Sequence, residues 1–289
     1  MPVAMDLPLL STSTTVLHAR PAPTPSATPP GARLSVRWAR HLDEVRAAQR
    51  LRYAVFADEM GARLSLPPGA PAGHDVDAFD AHCEHLLVCA GHDDDEVGGA
   101  GRPLDHVVGT YRVLTPAGAR RAGGLYSDGE FDLSALDGLR GDMVELGRSC
   151  VAPDWRQGGV ILALWAALGE FMQRNRLGTM VGCASVGMRD GGHAAASLWL
   201  QLQQRHLAPA ALRVTPRLPL PVERLAQPQA VVETPPLIKG YLRCGAQLLG
   251  APAWDPDFNT ADLPLLMRLD ELPARYRRHF MGPGADANG

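Results

Sequence analysis

Residues 143–160 carry the most information about the fold and read Met143-Val-Glu-Leu-Gly-Arg-Ser-Cys-Val-Ala-Pro-Asp-Trp-Arg-Gln-Gly-Gly-Val160. The first half, residues 143–151, is mostly apolar and has the pattern of a strand, and Pro153 with Asp154 then makes a turn. Over residues 158–176 the apolar positions recur at helical spacing. The segment therefore predicts a strand, a turn and a helix in direct succession.

The junction between this strand and this helix suits an anion. The first turn of a helix leaves backbone N–H groups unpaired, and the helix dipole adds about half a positive charge there. Gly158 and Gly159 would let the backbone close on a phosphate without a Cβ in the way, and Arg156 adds a charged donor. An ordinary strand–helix connection with glycine at the turn has the same pattern, so the segment alone leaves both interpretations open.

Strands and helices alternate on either side of this segment. Further strands are predicted at 34–38, 85–90, 107–114, 180–186, 212–214, 230–232 and 265–269. Helices are predicted from 41 to a stop at Gly61, at 193–206 and 237–249, and from 273 onward. This order predicts an α/β (α+β) chain with a mixed central β-sheet flanked by helices on both faces.

Composition limits the class of protein. The 289 residues are 46% hydrophobic and 20% charged, which is enough for a genuine core. A formal net charge of −3 offers no basic footprint for nucleic acid. The five cysteines are scattered without a CxxC pair, which favours a reducing, cytoplasmic compartment. No apolar run reaches the length of a membrane-spanning helix.

Several segments of unusual composition, including two that could suggest a metal site, are interpreted as structural rather than functional. Residues 1–33, rich in Ser, Thr, Pro and Ala, are predicted to be a disordered leader before a single domain at 34–289. The acidic run 93–96 is interpreted as a solvated hairpin loop. His82, Cys83 and His85 lie close together, but no second ligand pair follows at a matching spacing, so no metal site is predicted. Cys150 is interpreted as a core thiol rather than as an acyl-carrying nucleophile.

Several motifs together resemble a known family. They are Leu51-Arg52-Tyr-Ala-Val-Phe56, Asp75-Val-Asp77-Ala-Phe-Asp80, Gly109-Thr-Tyr-Arg112-Val-Leu114, Glu145-Leu-Gly-Arg148 and Lys239-Gly-Tyr241-Leu-Arg243-Cys-Gly245-Ala. With the order of elements, they resemble the GNAT acyltransferase fold. Over about residues 34–281 the chain looks like the ornithine lipid N-acyltransferases, and more distantly like the acyl-homoserine lactone synthases. Residues 235–246 and 255–262 resemble the ornithine lipid type, so lactone formation is the less expected reaction.

The resemblance implies a reaction and its substrates. It implies transfer of a (3-hydroxy)acyl group from the phosphopantetheine of acyl carrier protein to the α-amine of ornithine, giving lyso-ornithine lipid. No bound cofactor is implied, because the acyl-phosphopantetheine is the donor substrate. An acyl-CoA-dependent GNAT enzyme acting on another amine, a lactone-synthase-like enzyme and a silent carrier- or lipid-binding module stay open as alternatives.

The resemblance also assigns residues to the two substrates. The acyl donor would be held by Val151, Arg156, Gln157, Gly158 and Gly159. The acceptor would be held by Arg52, Phe56, Asp77, Asp80 and Arg112. Glu145 and Arg148 would lie beside the reacting groups.

Aminolysis of a thioester needs a base for the amine proton, and Glu145 is the leading candidate. Its apolar strand would raise its pKa by desolvation. The alternative is a structural ion pair with Arg112 or Arg148. Strict strand alternation places Glu145 and Gly147 on one face and Arg148, with Leu146, on the other, unless a bulge intervenes.

Charged residues outside the strand have two interpretations each. Asp77 and Asp80 would recognise ammonium groups of the acceptor or be solvated loop acids, and Arg52 would face a pocket or water. Because acyl carrier protein is acidic, Arg156, Arg174 and Arg176 are candidate docking residues. The basic and aromatic run 275–281 would lie peripherally on an anionic membrane or be a solvated last helix.

Overall fold

The computed structural model describes residues 33–91, 106–156 and 159–281. Most of the predicted leader, the acidic run 93–96 and the donor-loop residues Gln157 and Gly158 lie outside the described residues. Arg33, predicted as the last residue of the leader, already belongs to the first strand. The division into a leader and one domain otherwise stays a prediction.

The described residues form ten strands and seven α-helices. The strands are β1 (Arg33–Trp38), β2 (Glu84–Gly91), β3 (Val107–Leu114), β4 (Phe131–Asp132), β5 (Met143–Val151), β6 (Thr179–Gly187), β7 (Thr215–Pro216), β8 (Gln247–Leu248), β9 (Ala253–Asp255) and β10 (Thr260–Arg268). The helices are α1 (Leu42–Tyr53), α2 (Pro116–Ala122), α3 (Val160–Asn175), α4 (His193–His206), α5 (Val222–Leu225), α6 (Pro236–Arg243) and α7 (Ala274–Met281). A π-helical segment, Ala54–Glu59, extends α1. No helix in the described ranges is long and apolar enough to cross a membrane.

Eight of the strands form one mixed sheet in the order β1-β2-β3-β5-β6-β10-β8, with β9 also paired to β10. Every neighbouring pair is antiparallel except β5 and β6, which are parallel. A separate two-stranded sheet joins β4 to β7. The predicted fold class, a mixed sheet in an α/β chain, is confirmed.

Alternation along β2 shows why helices cover both faces. Leu86 and Val88 pack with Leu164 of α3, while Leu87 packs with Ala48 of α1. Successive side chains of a strand point to opposite faces, so α1 and α3 lie on opposite sides of the sheet. The strand is buried from both sides, which explains its unbroken apolar sequence.

The parallel pair β5–β6 is short and then separates. Met143–Glu145 pairs with Thr179–Val181, and the two strands diverge beyond that point. At the last close approach, a Cβ on Gly182 would collide with the backbone oxygen of Leu146. Further along, β6 stays paired with β10 alone. The divergence leaves a wedge-shaped opening inside the sheet, and side chains of both strands line it.

A β-bulge in β5 changes the face of Arg148. Arg112 pairs with Gly147 while Thr110 pairs with Cys150, so β5 carries one extra residue. Arg148 absorbs it with a left-handed backbone (φ 50°), a conformation that costs an ordinary residue about 1–2 kcal/mol. Arg148 therefore lies on the side of Glu145 and not on that of Leu146. The face that strict alternation predicts for Arg148 is therefore wrong, and the bulge is the reason.

The C-terminal third departs most from the sequence prediction. The helix predicted at 237–249 ends at Arg243, because Gly245 takes a left-handed backbone (φ 92°) and the chain then turns into β8. The strands predicted at 212–214 and 230–232 are a 3₁₀ turn and irregular chain. β10 begins at Thr260, five residues before the predicted start. The prediction omitted these residues because Asp262 and Pro264 interrupt the apolar pattern of the strand.

Candidate active site

One cavity of about 610 Å³ lies where β5 and β6 separate. Its walls come from both diverging strands, from α3, from α6 and from the segments around Tyr126 and Asp255. Six of the predicted site residues line it, namely Phe56, Arg112, Glu145, Arg148, Val151 and Arg156. The cavity thus brings predicted donor, acceptor and catalytic residues to one place.

Glu145 is a buried carboxylate, 5% exposed, at the wall of this cavity. Its two oxygens accept backbone N–H groups of Tyr126 (2.6 Å) and Ser127 (2.7 Å). Burial raises the pKa of Glu145, and the hydrogen bonds from Ser127 and Tyr126 and the charge of Arg112 partly oppose that rise. The direction is the one that the sequence predicts. The two backbone N–H groups and the Ser127 side chain fill three of the roughly four acceptor positions of the carboxylate, so the group can still take a proton.

Arg148 is held between two aromatic rings. Its guanidinium carbon lies 4.8 Å from the ring centre of Tyr126 and 4.7 Å from that of Phe258. Phe258 in turn meets Phe56 edge-on at 5.7 Å. Cation–π contacts on both faces fix the side chain without using its N–H groups. Phe56 therefore shapes the cavity through Phe258 as well as by lining it.

An ion-pair cluster lies behind the part of the cavity wall that Arg112 and Arg148 form. It consists of three arginines and three aspartates, namely Arg52, Arg112, Arg148, Asp75, Asp77 and Asp80. Arg52, which is fully buried, donates to Asp75 (2.8 Å) and to both oxygens of Asp80 (2.9 Å each). Arg112 donates to both oxygens of Asp77 at 2.7 Å. Such pairing is what allows charges to stay inside a protein.

The ion-pair cluster favours the charged forms of Asp77 and Asp80. Burial alone would raise the pKa of Asp80, but the hydrogen bonds and charge of Arg52 and the charge of Arg112 outweigh it and lower the pKa. The charges of Arg112 and Arg148 likewise overcome the effect of burial on Asp77, whose pKa is lowered. Three positive and three negative groups balance, so the cluster needs no further ion.

This balance bears on the predicted acceptor residues. Arg52, Asp77 and Asp80 do not line the cavity, and their charges are matched within the cluster. Direct recognition of an acceptor ammonium by Asp77 and Asp80 stays a prediction, and the geometry gives both carboxylates intramolecular partners instead. Their effect on the cavity passes through Arg112 and Arg148, which they hold in place.

The predicted donor loop is described in part. Arg156 lies at the cavity and makes a two-pronged ion pair with Glu59 at 2.7 Å, while its Nε donates to the carbonyl of Val151 at 3.1 Å. Gly159 is the N-cap residue of α3. Gln157 and Gly158 lie outside the described residues, so their predicted contact with the donor stays a prediction.

The sequence analysis missed an acidic wall of the same cavity. Glu130, Asp255 and Asp262 come from three separate segments, and their carboxylate oxygens lie within 4.8 Å of one another. Burial and the charge of Asp262 raise the pKa of Glu130 to about 8, and burial raises the pKa of Asp262 to about 6. Among the described residues, none of the three forms an ion pair with a cation of the chain. The acidic wall suits a cation supplied from outside, an ammonium group or a metal ion.

A signal for this wall exists in the sequence. Asp262 stands inside an otherwise apolar strand and is only 3% exposed, which is unusual for an acid without an ion partner. Its neighbours Glu130 and Asp255 come from turns that no periodic pattern would join to it.

Cys150, also at the cavity, fits its core interpretation, because burial raises the pKa of its thiol to about 12.

Known proteins are similar to this chain over most of its length. The family model described as an acetyltransferase (GNAT) domain matches residues 51–166. An L-ornithine N(alpha)-acyltransferase from Agrobacterium fabrum is 36% identical over 269 residues, covering 89% of this chain and 88% of that protein. Another from Rhizobium meliloti is 34% identical over 266 residues, covering 89% and 86%. Among solved structures, the N-acyl amino acid synthase FeeM from uncultured soil microbes is 12% identical over 83% of this chain and 93% of its own, with a TM-score of 0.49.

Arg52 tests the structural role of the ion-pair cluster. We expect Arg52→Met to lower the free energy of unfolding by about 3–5 kcal/mol, because it leaves Asp75 and Asp80 buried without their partner. The exposed Arg268, paired with Asp270, is the control, and Arg268→Met should cost less than about 1 kcal/mol. Urea unfolding at pH 7 measures both. A stable Arg52→Met protein with a raised KM for the acceptor would instead support direct acceptor contact.

Glu130 tests the acidic wall through pH. The folded protein holds a proton on Glu130 up to a pKa of about 8, whereas an ordinary glutamate loses it near 4.5. The folded state therefore binds more protons between these values, and stability falls as pH rises from about 5 to 8. We expect Glu130→Gln to flatten this fall, and Glu170→Gln, an exposed change on α3, to leave it unchanged. Thermal unfolding across this range measures the slopes, and equal slopes for wild type and Glu130→Gln would contradict the assignment.

Proposed function

Since the chain belongs to the family of L-ornithine N(alpha)-acyltransferases, we propose that its cavity joins an acyl group from acyl carrier protein to the α-amine of ornithine. The observation that carries this proposal is a single cavity lined both by Arg156 of the donor loop and by the buried carboxylate Glu145. One substrate would reach it from the start of α3, and the other would meet it at the acidic wall.

The proposed step is direct aminolysis. The neutral α-amine attacks the thioester carbon, the C–N bond forms, the C–S bond breaks and phosphopantetheine leaves as a thiol. Glu145 accepts the proton that the amine loses, directly or through water, and passes it to the departing sulfur. Burial raises its pKa, which favours proton uptake, while the N–H groups of Tyr126 and Ser127 stabilise the ionised form that acts as the base. Arg148 is the candidate to stabilise the developing oxyanion, since its charge is fixed beside the same cavity.

The acceptor would be oriented by charge. Ornithine carries a second amine on its side chain, which stays an ammonium while the α-amine reacts. The acidic wall of Glu130, Asp255 and Asp262 would hold that ammonium, which would in turn supply the positive charge that no ion pair of the described residues gives these carboxyl groups. The carboxylate of ornithine carries the opposite charge, and Arg112 or Arg148 would meet it at the other side of the cavity.

The choice of carrier protein over CoA is supported by charge on the surface. Arg174 and Arg176 are exposed at the end of α3, the helix whose first turn follows the donor loop. An acidic carrier protein seated beside Arg156 would place its phosphopantetheine at the donor loop, and Arg174 and Arg176 would extend the cationic surface along the helix. Cytoplasmic location and peripheral contact of α7 with a membrane stay predictions.

The proposal is tested with purified protein and matched substrates. Mass spectrometry would follow amide formation from 3-hydroxyacyl carrier protein or the same acyl-CoA, with ornithine or with norvaline, which lacks the side-chain amine. We expect the carrier-protein donor to be preferred and norvaline to react at least about tenfold more slowly, since the acidic wall is then left without its cation. Amide formation from acyl-CoA alone would overturn the choice of donor. No amide from any pair would overturn the function.

Glu145→Gln tests the base. We expect kcat to fall by roughly 10²–10⁴-fold while donor binding survives, because glutamine fills the same space but cannot accept a proton. Glu170→Gln, an exposed change on α3, is the matched control and should keep full activity. Circular dichroism and thermal unfolding accompany the assay. A Glu145→Gln protein that fails to fold would show that Glu145 holds the segment at Tyr126 and Ser127 and is not primarily a base.

A further inference from the structure

The apolar end of the cavity adjoins a second, smaller void. The void has a volume of about 40 Å³. Four side chains line both spaces, namely Tyr111, Leu146, Trp165 and Tyr241. The rest of the void is apolar, formed by Leu168, Met180, Cys244, Met267, Leu269 and Leu272 among others. The four shared side chains thus form a partition between the cavity and an apolar recess.

Two tyrosines hold the partition closed. The hydroxyl groups of Tyr111, on β3, and Tyr241, on α6, are 2.7 Å apart and share a hydrogen bond. The ring of Tyr241 also stacks on Trp165 of α3 at 5.3 Å. α6 lies so close to α3 that a Cβ on Gly240 would lie 2.6 Å from the Trp165 ring, so only glycine fits there without a shift. These contacts therefore tie together three elements, namely β3 of the sheet and the helices α3 and α6.

The two ends of the main cavity differ in polarity. Asp262, of the acidic wall, and Met267, of the recess, are five residues apart on β10, so the acidic lining is separated along that strand from the apolar lining at the partition, which includes Trp165. An alkyl chain gains about fourfold in affinity for each buried methylene and gains nothing beside carboxylates. In an acyltransferase the acyl chain must therefore extend from the thioester toward the partition.

We propose that Tyr241, held by Tyr111, is the end stop that sets the longest acyl chain this enzyme transfers. The inference rests on the proposed function, since it requires an acyl donor in this cavity. The recess behind the partition has room for about one methylene group, which occupies about as much space as a water molecule. A chain that reaches the ring of Tyr241 can go further only if the ring is absent.

Tyr241→Leu is the decisive variant. Leucine removes the ring and joins the recess to the cavity, so we expect the preferred acyl chain to lengthen by about two carbons. In a competition between donors two carbons apart, the product ratio should shift on the order of tenfold toward the longer chain. The ratio does not depend on how much of the protein is active, so partial destabilisation does not blur it. Mass spectrometry of the mixed amide products gives the ratio directly.

Two control variants distinguish the ring of Tyr241 from its hydroxyl group and from a general loss of aromatic packing. Tyr241→Phe keeps the ring and loses the hydroxyl, and should leave the ratio within about twofold of wild type. Phe171→Leu removes a ring from a different side of α3, where it packs on Trp38, and should not change the ratio. An unchanged ratio in an active Tyr241→Leu enzyme, or an equal shift in Tyr241→Phe, would overturn the inference. Wild-type protein that forms no amide at all would overturn the proposed function instead.

Discussion

The candidate active site exists because β5 and β6 separate after three paired residues. A parallel pair normally continues its hydrogen bonds along both strands, and these two strands give that up from Leu146 and Gly182 onward. The gap is stable because β6 remains paired to β10 and β5 remains paired to β3. Each of the two strands keeps one hydrogen-bonded neighbouring strand. The space between β5 and β6 can therefore hold substrate rather than side chains of the core.

The bulge at Arg148 is tied to this separation. With the extra residue, β5 turns a cation toward Glu145 and away from the apolar layer under α3. The strained backbone of Arg148 is held by contacts on every side, with Tyr126 and Phe258 on its faces and Asp75 and Asp77 at its nitrogens. Strain that is maintained in this way commonly marks a functional position.

Charge is distributed unequally around the cavity. The ion-pair cluster behind one wall is balanced, three positive groups against three negative, and its role is to support Arg112 and Arg148. The acidic wall has no such balance within the described residues, and burial together with the charge of Asp262 raises the pKa of Glu130. A cationic substrate completes the second wall, whereas the first is complete already. The apolar end near Tyr241 forms a third environment, suited to an alkyl chain.

Local sequence was enough to predict the strand–turn–helix at residues 143–176, the mixed sheet and the position of Glu145 in an apolar strand, because periodicity and turn residues are local properties. The resemblance in its motifs also pointed to the acyltransferase family. The face of Arg148, the pairing of Asp77 and Asp80 with arginines, and the meeting of Glu130, Asp255 and Asp262 became visible only in three dimensions. Those results depend on a bulge and on contacts between residues far apart in the chain, and no local pattern records which distant charge a buried charge will meet.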